Sequence, residues 1–281
     1  MVAPDRRRIA VRRLRDQFGV SERRACGVVG QPRSTQRRAK AGPSAADETL
    51  RRRLRQIARK HPRWGWRKAH DIAAREELVV NPKRTRRIWR DEGLQRPAPK
   101  KRKRRRRSDG TAGLLRAEYP LQVWSLDFQF DETSKGRRLK LLNILDEHTR
   151  EALAMKVEHS ITADDVVDLL AQLIEVHGAP QHLRMDNGPE LVAWALRDWC
   201  RIWGTNTAYI EPGSPWENPF IESFHSRVRD ELLNVEDFYD LTDAKIVVED
   251  WRIQYNRYRP HRSLDGLTPS QYRQQWETDH P

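Results

Sequence analysis

The stretch Leu121-Gln122-Val123-Trp124-Ser125-Leu126-Asp127-Phe128-Gln129-Phe130 decides the fold of the larger part of this chain. Its alternation of large apolar and smaller or polar residues predicts a β-strand. Because successive side chains of a strand point to opposite faces, Trp124 and Phe130 share one face and Asp127 lies on the other. A carboxylate in the middle of a strand is costly unless it is paired or binds a metal. Asp127 is therefore a candidate functional residue.

The segments that follow this strand predict an α/β domain in the order β-β-β-α-β-α-β-α, opening with an antiparallel meander. Thr162 caps the first helix and Gly178 ends it, and a Trp-rich helix follows later. The further strands are predicted at Leu139–Leu145, Ala152–Val157, Gln181–Met185 and Thr207–Ile210.

Two more acidic residues stand where elements end or begin. Asp186 directly follows the predicted strand Gln181–Met185, and Glu222 lies on the flank of a helix whose buried stripe includes Phe224. Arg229 is seven residues, about two helical turns, beyond Glu222 and should point to the same side. An interval of 35 residues separates Asp186 from Glu222.

Charge divides the chain into a basic and an acidic part. Residues 1–116 contain 37 Lys and Arg against 11 Asp and Glu, whereas residues 117–281 contain 17 against 29. The unbroken basic run Lys100–Arg107, which includes Lys101 and Arg104, cannot pack as core and predicts an extended linker. Basic surface of this density gives salt-sensitive affinity for nucleic-acid phosphates, so DNA is the expected partner.

The basic part predicts short helices. Leu50, Leu54 and Ile57 form one apolar stripe, and a helix from about Trp66 to Leu78 follows. Asn81 can cap a third helix, whose Lys83, Arg84 and Arg87 are candidate DNA contacts in a helix-turn-helix. A plain helical bundle with a solvated basic face is the alternative, and an earlier helix pair at Asp5–Phe18 and Ser21–Val29 is a second candidate DNA-binding unit.

Converging carboxylates suit phosphodiester chemistry. Mg²⁺ and Mn²⁺ need oxygen ligands, and two such ions about 4 Å apart can activate an attacking oxygen and stabilise a leaving one. Three acids out of 40 mean little by themselves, since most are surface groups or caps. Cys26 and Cys200 lie outside any metal-binding pattern and are expected to be small buried hydrophobes.

The spacing and the surrounding motifs resemble the D,D-35-E transposases of bacterial insertion sequences, of the OrfB type, within the retroviral-integrase superfamily. The motifs that carry the resemblance are Trp124–Phe128, Leu145–Glu151, Arg184–Glu190, Gly213–Phe224, Arg229–Asn234, Tyr255–Leu264 and, upstream, His61–Arg67 and Asn81–Thr85.

The resemblance implies an RNase H-like catalytic domain with a mixed five-stranded sheet, in which Asp127, Asp186 and Glu222 bind two Mg²⁺ or Mn²⁺ ions. Arg229 would contact DNA near the active site. The implied activity is cleavage at element ends and transfer of the 3′-hydroxyl into target DNA, by a homo-oligomer on DNA and with a companion OrfA protein. A nuclease of the same fold and a non-catalytic DNA-binding regulator are the alternatives. Asp146 could be a fourth ligand, although a turn-end acid is the favoured interpretation.

We expect five regions. They are an N-terminal helical DNA-binding segment (1–42), a helix-turn-helix-like domain (43–95), the basic linker (96–116), the catalytic core (117–235) and a C-terminal helical extension (236–281). No apolar run is long enough to span a bilayer, and no signal-peptide pattern follows Met1–Arg8, so a cytoplasmic, nucleoid-associated protein is expected.

Overall fold

The computed structural model describes residues 4–37, 44–96, 116–185, 194–209 and 218–281. The chain forms two compact units, residues 1–49 and 50–281, and each is described by itself. No helix within the described ranges is long and apolar enough to cross a membrane. The predicted linker residues Lys101 and Arg104 and the candidate ligand Asp186 lie outside the described residues.

The first unit begins with α1 (Pro4–Phe18), α2 (Glu22–Val29) and α3 (Arg33–Arg37), which confirms the predicted helix pair. Ser21 caps α2 by accepting a hydrogen bond from the backbone N–H of Arg24, and Gly30 ends it in the left-handed conformation. The small core of this unit includes Val11 and Cys26, so Cys26 is a buried hydrophobe as predicted.

The second unit contains the remaining helices and all described strands. In chain order they are α4 (Ala45–Lys60), whose first turn belongs to the first unit, α5 (Trp66–Arg75), α6 (Pro82–Asp91), β1 (Val123–Glu132), β2 (Arg138–Asp146), β3 (Ala152–Glu158), α7 (Ala163–His177), β4 (His182–Met185), α8 (Trp194–Trp203), β5 (Asn206–Tyr209), α9 (Pro219–Val228), α10 (Leu241–Arg257) and α11 (Pro269–Asp279). The predicted order of elements in the α/β region is confirmed.

The helices α4 to α6 share one core. The predicted stripe of α4 is buried together with Ile72 of α5 and Ile88 of α6. Asn81 caps α6, as predicted, by accepting a hydrogen bond of 2.9 Å from the backbone N–H of Lys83. Pro82 follows at the first helical position, where the missing N–H costs nothing.

The strands form one mixed sheet of five, in the order β3-β2-β1-β4-β5. The first three strands are an antiparallel meander, and β1, β4 and β5 are parallel to one another. The register pairs Asp127 of β1 with Asn143 of β2, and Ser125 of β1 with Arg184 of β4. The central strand therefore carries Asp127 between an antiparallel and a parallel neighbour.

Helices cover both faces of the sheet. Trp124 and Leu126 point to the face on which α7 and α8 pack, while α9 and α10 cover the opposite face. Because side chains alternate along β1, Asp127 belongs to the face covered by α9. Phe130, predicted on the Trp124 face, is 40% exposed near the end of its strand.

A π-helical segment, Arg229–Leu233, continues α9 and places Glu231 against the helical region of the same unit. The Glu231 carboxylate accepts hydrogen bonds from the Nε1 of Trp64 at 2.8 Å, the Nζ of Lys68 at 2.6 Å and the guanidinium of Arg259 at 2.6 and 2.7 Å. Glu231 and Arg259 are almost completely buried. The ion pair thus joins the segment that continues α9 to α5 and to the segment after α10.

We expect Glu231→Gln to lower the free energy of unfolding by about 3 kcal/mol, because breaking one side of a buried ion pair leaves uncompensated charges. Urea denaturation at pH 7 measures the loss. The matched control is Asp230→Asn, whose half-exposed ion pairs with Arg63 and Arg96 should contribute less than about 1 kcal/mol. Equal midpoints for the two variants would contradict the buried pair.

The same pair predicts a pH dependence. Burial raises the pKa of Glu231, but Arg259 and Lys68 outweigh it and hold that pKa at about 2, below its ordinary value of 4.5. A lowered carboxyl pKa stabilises the fold above about pH 4.5, and that stabilisation is lost as pH falls toward 2. The stability difference between the wild type and Glu231→Gln should therefore shrink over that window. A difference that stays constant would contradict the assignment.

Candidate active site

Asp127 lies in the middle of β1, half-buried beneath α9. Its Oδ1 accepts a hydrogen bond of 2.6 Å from the backbone N–H of Phe128. Its Oδ2 is 3.6 Å from the Nδ1 of His225 on α9, and 28% of its side-chain surface is exposed. The carboxylate therefore stands at the seam between the sheet and α9 and remains accessible.

His225 connects this carboxylate to the neighbouring strand. Its Nε2 is 2.9 Å from the Nδ2 of Asn143, and its backbone carbonyl accepts a hydrogen bond of 3.2 Å from the Gln129 side chain. Burial, followed by the charge of Arg229, lowers the pKa of His225 to about 4. A neutral imidazole that accepts from Asn143 at Nε2 carries its proton on Nδ1, facing Asp127. His225 therefore lies beside Asp127 at a distance beyond a hydrogen bond, and its neutral imidazole leaves the carboxylate charge in place.

Glu222 stands in the first turn of the same helix, α9, where a carboxylate is favoured by the helix dipole. Residues three apart lie on one side of a helix, so Glu222 and His225 are neighbours on α9. Glu222 lines a surface cavity of about 490 Å³ together with Arg150 and Ser263. The packing of α9 on β1 thus places two of the three predicted carboxylates on adjacent elements.

Asp186 directly follows Met185, the last residue of β4, and lies outside the described residues. What the structure describes is the frame next to it. The Nη1 of Arg184 donates to both Glu147 oxygens at 2.8 Å, and Ser125 also donates to this carboxylate. Burial raises the pKa of Glu147, and Arg184 and Ser125 oppose that rise. This buried cluster ties the start of β1, the turn after β2 and the end of β4 together.

Arg229, the predicted DNA contact, is held beside the same strand. Its Nη2 donates a hydrogen bond of 2.7 Å to the backbone carbonyl of Phe130, and its Nη1 is 3.5 Å from the Asp131 carboxylate. Nevertheless 44% of the side-chain surface is exposed. The guanidinium is therefore anchored near Asp127 and still has surface for an anion.

The predicted DNA contacts on α6 lie on the side away from the core. Lys83 and Arg87 are exposed and Arg84 is half-buried, while Thr85 and Ile88 face inward. Arg86 of the same helix lies over the indole of Trp66, 5.8 Å from the ring centroid.

Asp146 has a structural role, as the sequence favoured. It is fully buried, and its carboxylate accepts hydrogen bonds from the backbone N–H groups of Leu121, His148 and Thr149 and from the Thr149 hydroxyl. His261 is likewise buried, packed against Tyr255 at 4.7 Å between ring centroids. Within the described ranges, no cluster of three His, Cys, Asp or Glu side chains could hold a metal.

Sequence reasoning missed the charged residues that frame the site. Glu147 and Arg184 lie inside quoted motifs, but nothing in their spacing shows that they pair across 37 positions. Glu231 and Trp64 are separated by 167 positions. A buried ion pair between distant residues leaves no local periodicity, so only charged residues inside otherwise apolar segments could have pointed to it.

Comparison with known protein families gives three matches. Residues 117–215 and residues 203–269 match models of the integrase core domain, and residues 45–102 match a model of an HTH-like domain. The helix-turn-helix interpretation and the fold class predicted from the sequence are confirmed.

Similar proteins come from bacterial insertion elements. The uncharacterized 39.2 kDa protein of insertion element IS476 of Xanthomonas euvesicatoria is 38% identical, over 99% of this chain and 79% of that protein. The uncharacterized 31.7 kDa protein of insertion element IS407 of Burkholderia multivorans is 37% identical, over 92% of each. Among solved structures, the HTLV-2 integrase catalytic core domain in complex with magnesium is 16% identical, with a TM-score of 0.46, over 56% of this chain and 99% of that one.

The neutral state of His225 can be tested by NMR. Because burial lowers its pKa to about 4, we expect the imidazole signal to titrate near pH 4 and to stay unchanged from pH 6 to 8. His225→Gln identifies the signal by its loss. A midpoint near 6.5, the value of a solvated histidine, would contradict the buried, neutral imidazole.

Proposed function

This chain belongs to the insertion-sequence transposases that carry an integrase core domain, and we propose that it cuts and joins DNA strands with Asp127, Asp186 and Glu222. Its class of enzyme is polynucleotidyl transferase, and its integrase core and HTH-like domains act on DNA. The observation that carries the residue assignment is the packing of α9 on β1, which brings the helix of Glu222 against the strand of Asp127.

The position of Asp186 supports the third assignment. It directly follows Met185 in the sequence. Met185 ends β4, whose parallel pairing with β1 covers Val123 to Ser125, two residues before Asp127. The buried Arg184–Glu147 pair fixes this strand end within two residues of Asp186. All three carboxylates would therefore enter the site from neighbouring elements.

The donor set fits Mg²⁺ or Mn²⁺. Carboxylate oxygens are the ligands that hard divalent ions prefer, and His225, neutral and hydrogen-bonded to Asn143, adds no competing positive charge. Asp127, Asp186 and Glu222 would hold two ions, which when bound activate the attacking oxygen and stabilise the leaving one. His225, 3.6 Å from the Asp127 carboxylate, would act as an outer-shell partner of this metal ligand.

The reaction consists of two phosphoryl transfers. In the first, a water oxygen attacks the phosphorus at an element end, and the bond from phosphorus to the 3′-oxygen breaks to free a 3′-hydroxyl. In the second, that hydroxyl loses its proton and attacks a phosphodiester of the target, whose own 3′-oxygen leaves. Neither step needs a covalent bond to the protein. Arg229, anchored on Phe130, would bind a phosphate next to the reacting one.

The helical region would hold the element ends. Lys83, Arg84 and Arg87 of α6 and Lys101 and Arg104 of the basic run are the proposed DNA contacts, and base contacts beyond phosphates are needed for preference among sequences. Paired ends would be held by a homo-oligomer, with a companion OrfA protein as a further partner.

Substituting the metal ligands should separate catalysis from binding. We expect Asp127→Asn, Asp186→Asn and Glu222→Gln each to lower cleavage of an element-end duplex by more than about 100-fold, since outer-shell partners alone cost about 10- to 100-fold. DNA affinity should change little. Asp198→Asn on the exposed surface of α8 is the matched control. Wild-type cleavage by any of the three variants would remove that residue from the site.

A second assay separates transposition from simple hydrolysis. A precut element end with a free 3′-hydroxyl is incubated with target DNA and Mg²⁺, and we expect joined product from the wild type only. Hydrolysis of the target without joined product would instead support a nuclease of the same fold. Tight binding with neither product would support a non-catalytic regulator.

A further inference from the structure

A groove of about 1010 Å³ lies within the second unit, between the helical region and the side of α9. Its walls come from α5 and the start of α6 on one side, and from α9 and the segment after α10 on the other. Its polar lining includes Arg67, Arg150, Ser223, Arg227, Arg262 and Ser263. We call it the α5–α9 groove.

The charge of this groove is strongly positive. Its acids are Asp71 and Asp265, and burial raises the pKa of Asp71. Lys68 and Arg259 also line it, but both are paired with Glu231. Four further arginines remain to face an occupant: Arg67, Arg150, Arg227 and Arg262. Within the described ranges, no carboxylate forms an ion pair with Arg227 or Arg262, and both are exposed.

The groove continues into the cavity of Glu222. Arg150, Ser223 and Ser263 line both, so they form the floor that joins them. Arg150 is well placed for this role, because its guanidinium lies over the Phe220 ring at 3.9 Å from the centroid and donates to the Glu147 carbonyl. An occupant of the groove would therefore extend directly to a proposed catalytic carboxylate.

The opposite end of the groove reaches the helical DNA-binding region. Trp66 and Pro82 line it there, and Pro82 is the first residue of α6. The Trp66 indole is half-buried, with Arg67 at 4.9 Å from its centroid. A basic channel with an aromatic side chain is the arrangement by which proteins follow a nucleic-acid strand.

The size of the groove favours a single DNA strand over a duplex as its occupant. Its volume is at the upper end of the range of about 300–1,000 Å³ that holds a drug-sized molecule, which leaves room for a few nucleotides. Its walls also meet, since Arg75 of α5 donates to the Gly266 carbonyl at 3.4 Å and to the Gln271 side chain at 3.3 Å. A space of this size suits a single strand better than the wider double helix.

We propose that the α5–α9 groove binds the phosphodiester backbone of one separated DNA strand, which leads from the reaction centre at Glu222 to the first turn of α6. The proposal rests on the proposed function for the identity of the DNA. Arg150, Arg227 and Arg262 would bind the backbone of this strand. The end of the element must then be unpaired near the scissile phosphate.

Disulfide cross-linking tests the path directly. Both native cysteines are buried, so a cysteine placed at exposed Ser263 is the reactive one. Element-end duplexes carry a thiol tethered to one phosphate at a time, on either strand. We expect Ser263→Cys to cross-link to a few consecutive phosphates of one strand only, beside the scissile phosphate. Ser134→Cys, exposed on the β1–β2 turn, should give none.

Salt dependence gives a second measurement that does not use activity. Removing one phosphate contact should lower the slope of log affinity against log salt by about 1. We expect this change for Arg227→Ala and for Arg262→Ala, but not for Arg201→Ala on the exposed surface of α8. An unchanged slope would overturn the proposal, and so would cross-links on both strands or on neither. So would a groove that binds an acidic peptide and not the strand.

The outcomes distinguish this inference from the proposed function. If the protein carries out strand transfer but gives no cross-link at Ser263, the groove proposal is wrong and the proposed function stands. If Ser263 cross-links to one strand but the protein joins no DNA, the groove proposal stands and the strand-transfer assignment is wrong.

Discussion

A carboxylate that is buried away from water must be paired. Two buried carboxylates, Glu147 and Glu231, join the elements of the second unit to one another. The fully buried Glu147 carboxylate accepts hydrogen bonds from Arg184 and Ser125 and so joins the end of β4 to the start of β1. Glu231 receives Trp64, Lys68 and Arg259 and fastens the helical region to the segment that continues α9. Each buried charge would be costly alone, so each enforces one arrangement of the elements that contribute its partners. The candidate active site lies between these two fixed points.

Most of the fold could be predicted from the sequence, because local chemistry governs it. The caps at Asn81 and Thr162 and the glycine stop at Gly178 lie where the residues predict, and the α/β order follows from periodicity. The π-helical turn at Arg229–Leu233 could not be predicted, since Leu232 keeps the apolar spacing of an ordinary helix. The docking of α5 onto the catalytic side was also missed, because it depends on residues far apart in the chain.

The sequence predicts the carboxylates of the candidate site better than it predicts the residues that surround them. Asp127 stands out as a carboxylate inside an apolar strand, and the 35-residue interval and its motifs gave Asp186 and Glu222. The neighbours of His225 in the sequence do not show that its Nδ1 lies 3.6 Å from the Asp127 carboxylate. Its role depends on the pairing of β1 with β2, which brings Asn143 opposite Asp127. A side chain that acts through a partner on another strand has no signature in sequence.

We propose that Asp127, Asp186 and Glu222 together bind divalent metal ions. A crystal structure of the protein with element-end DNA and Mn²⁺, measured at a wavelength where manganese scatters anomalously, would show where the ions bind. We expect anomalous peaks at coordination distance, about 2 Å, from carboxylate oxygens of Asp127 and of the other two residues. Manganese bound elsewhere, with these three carboxylates pointing apart, would contradict it.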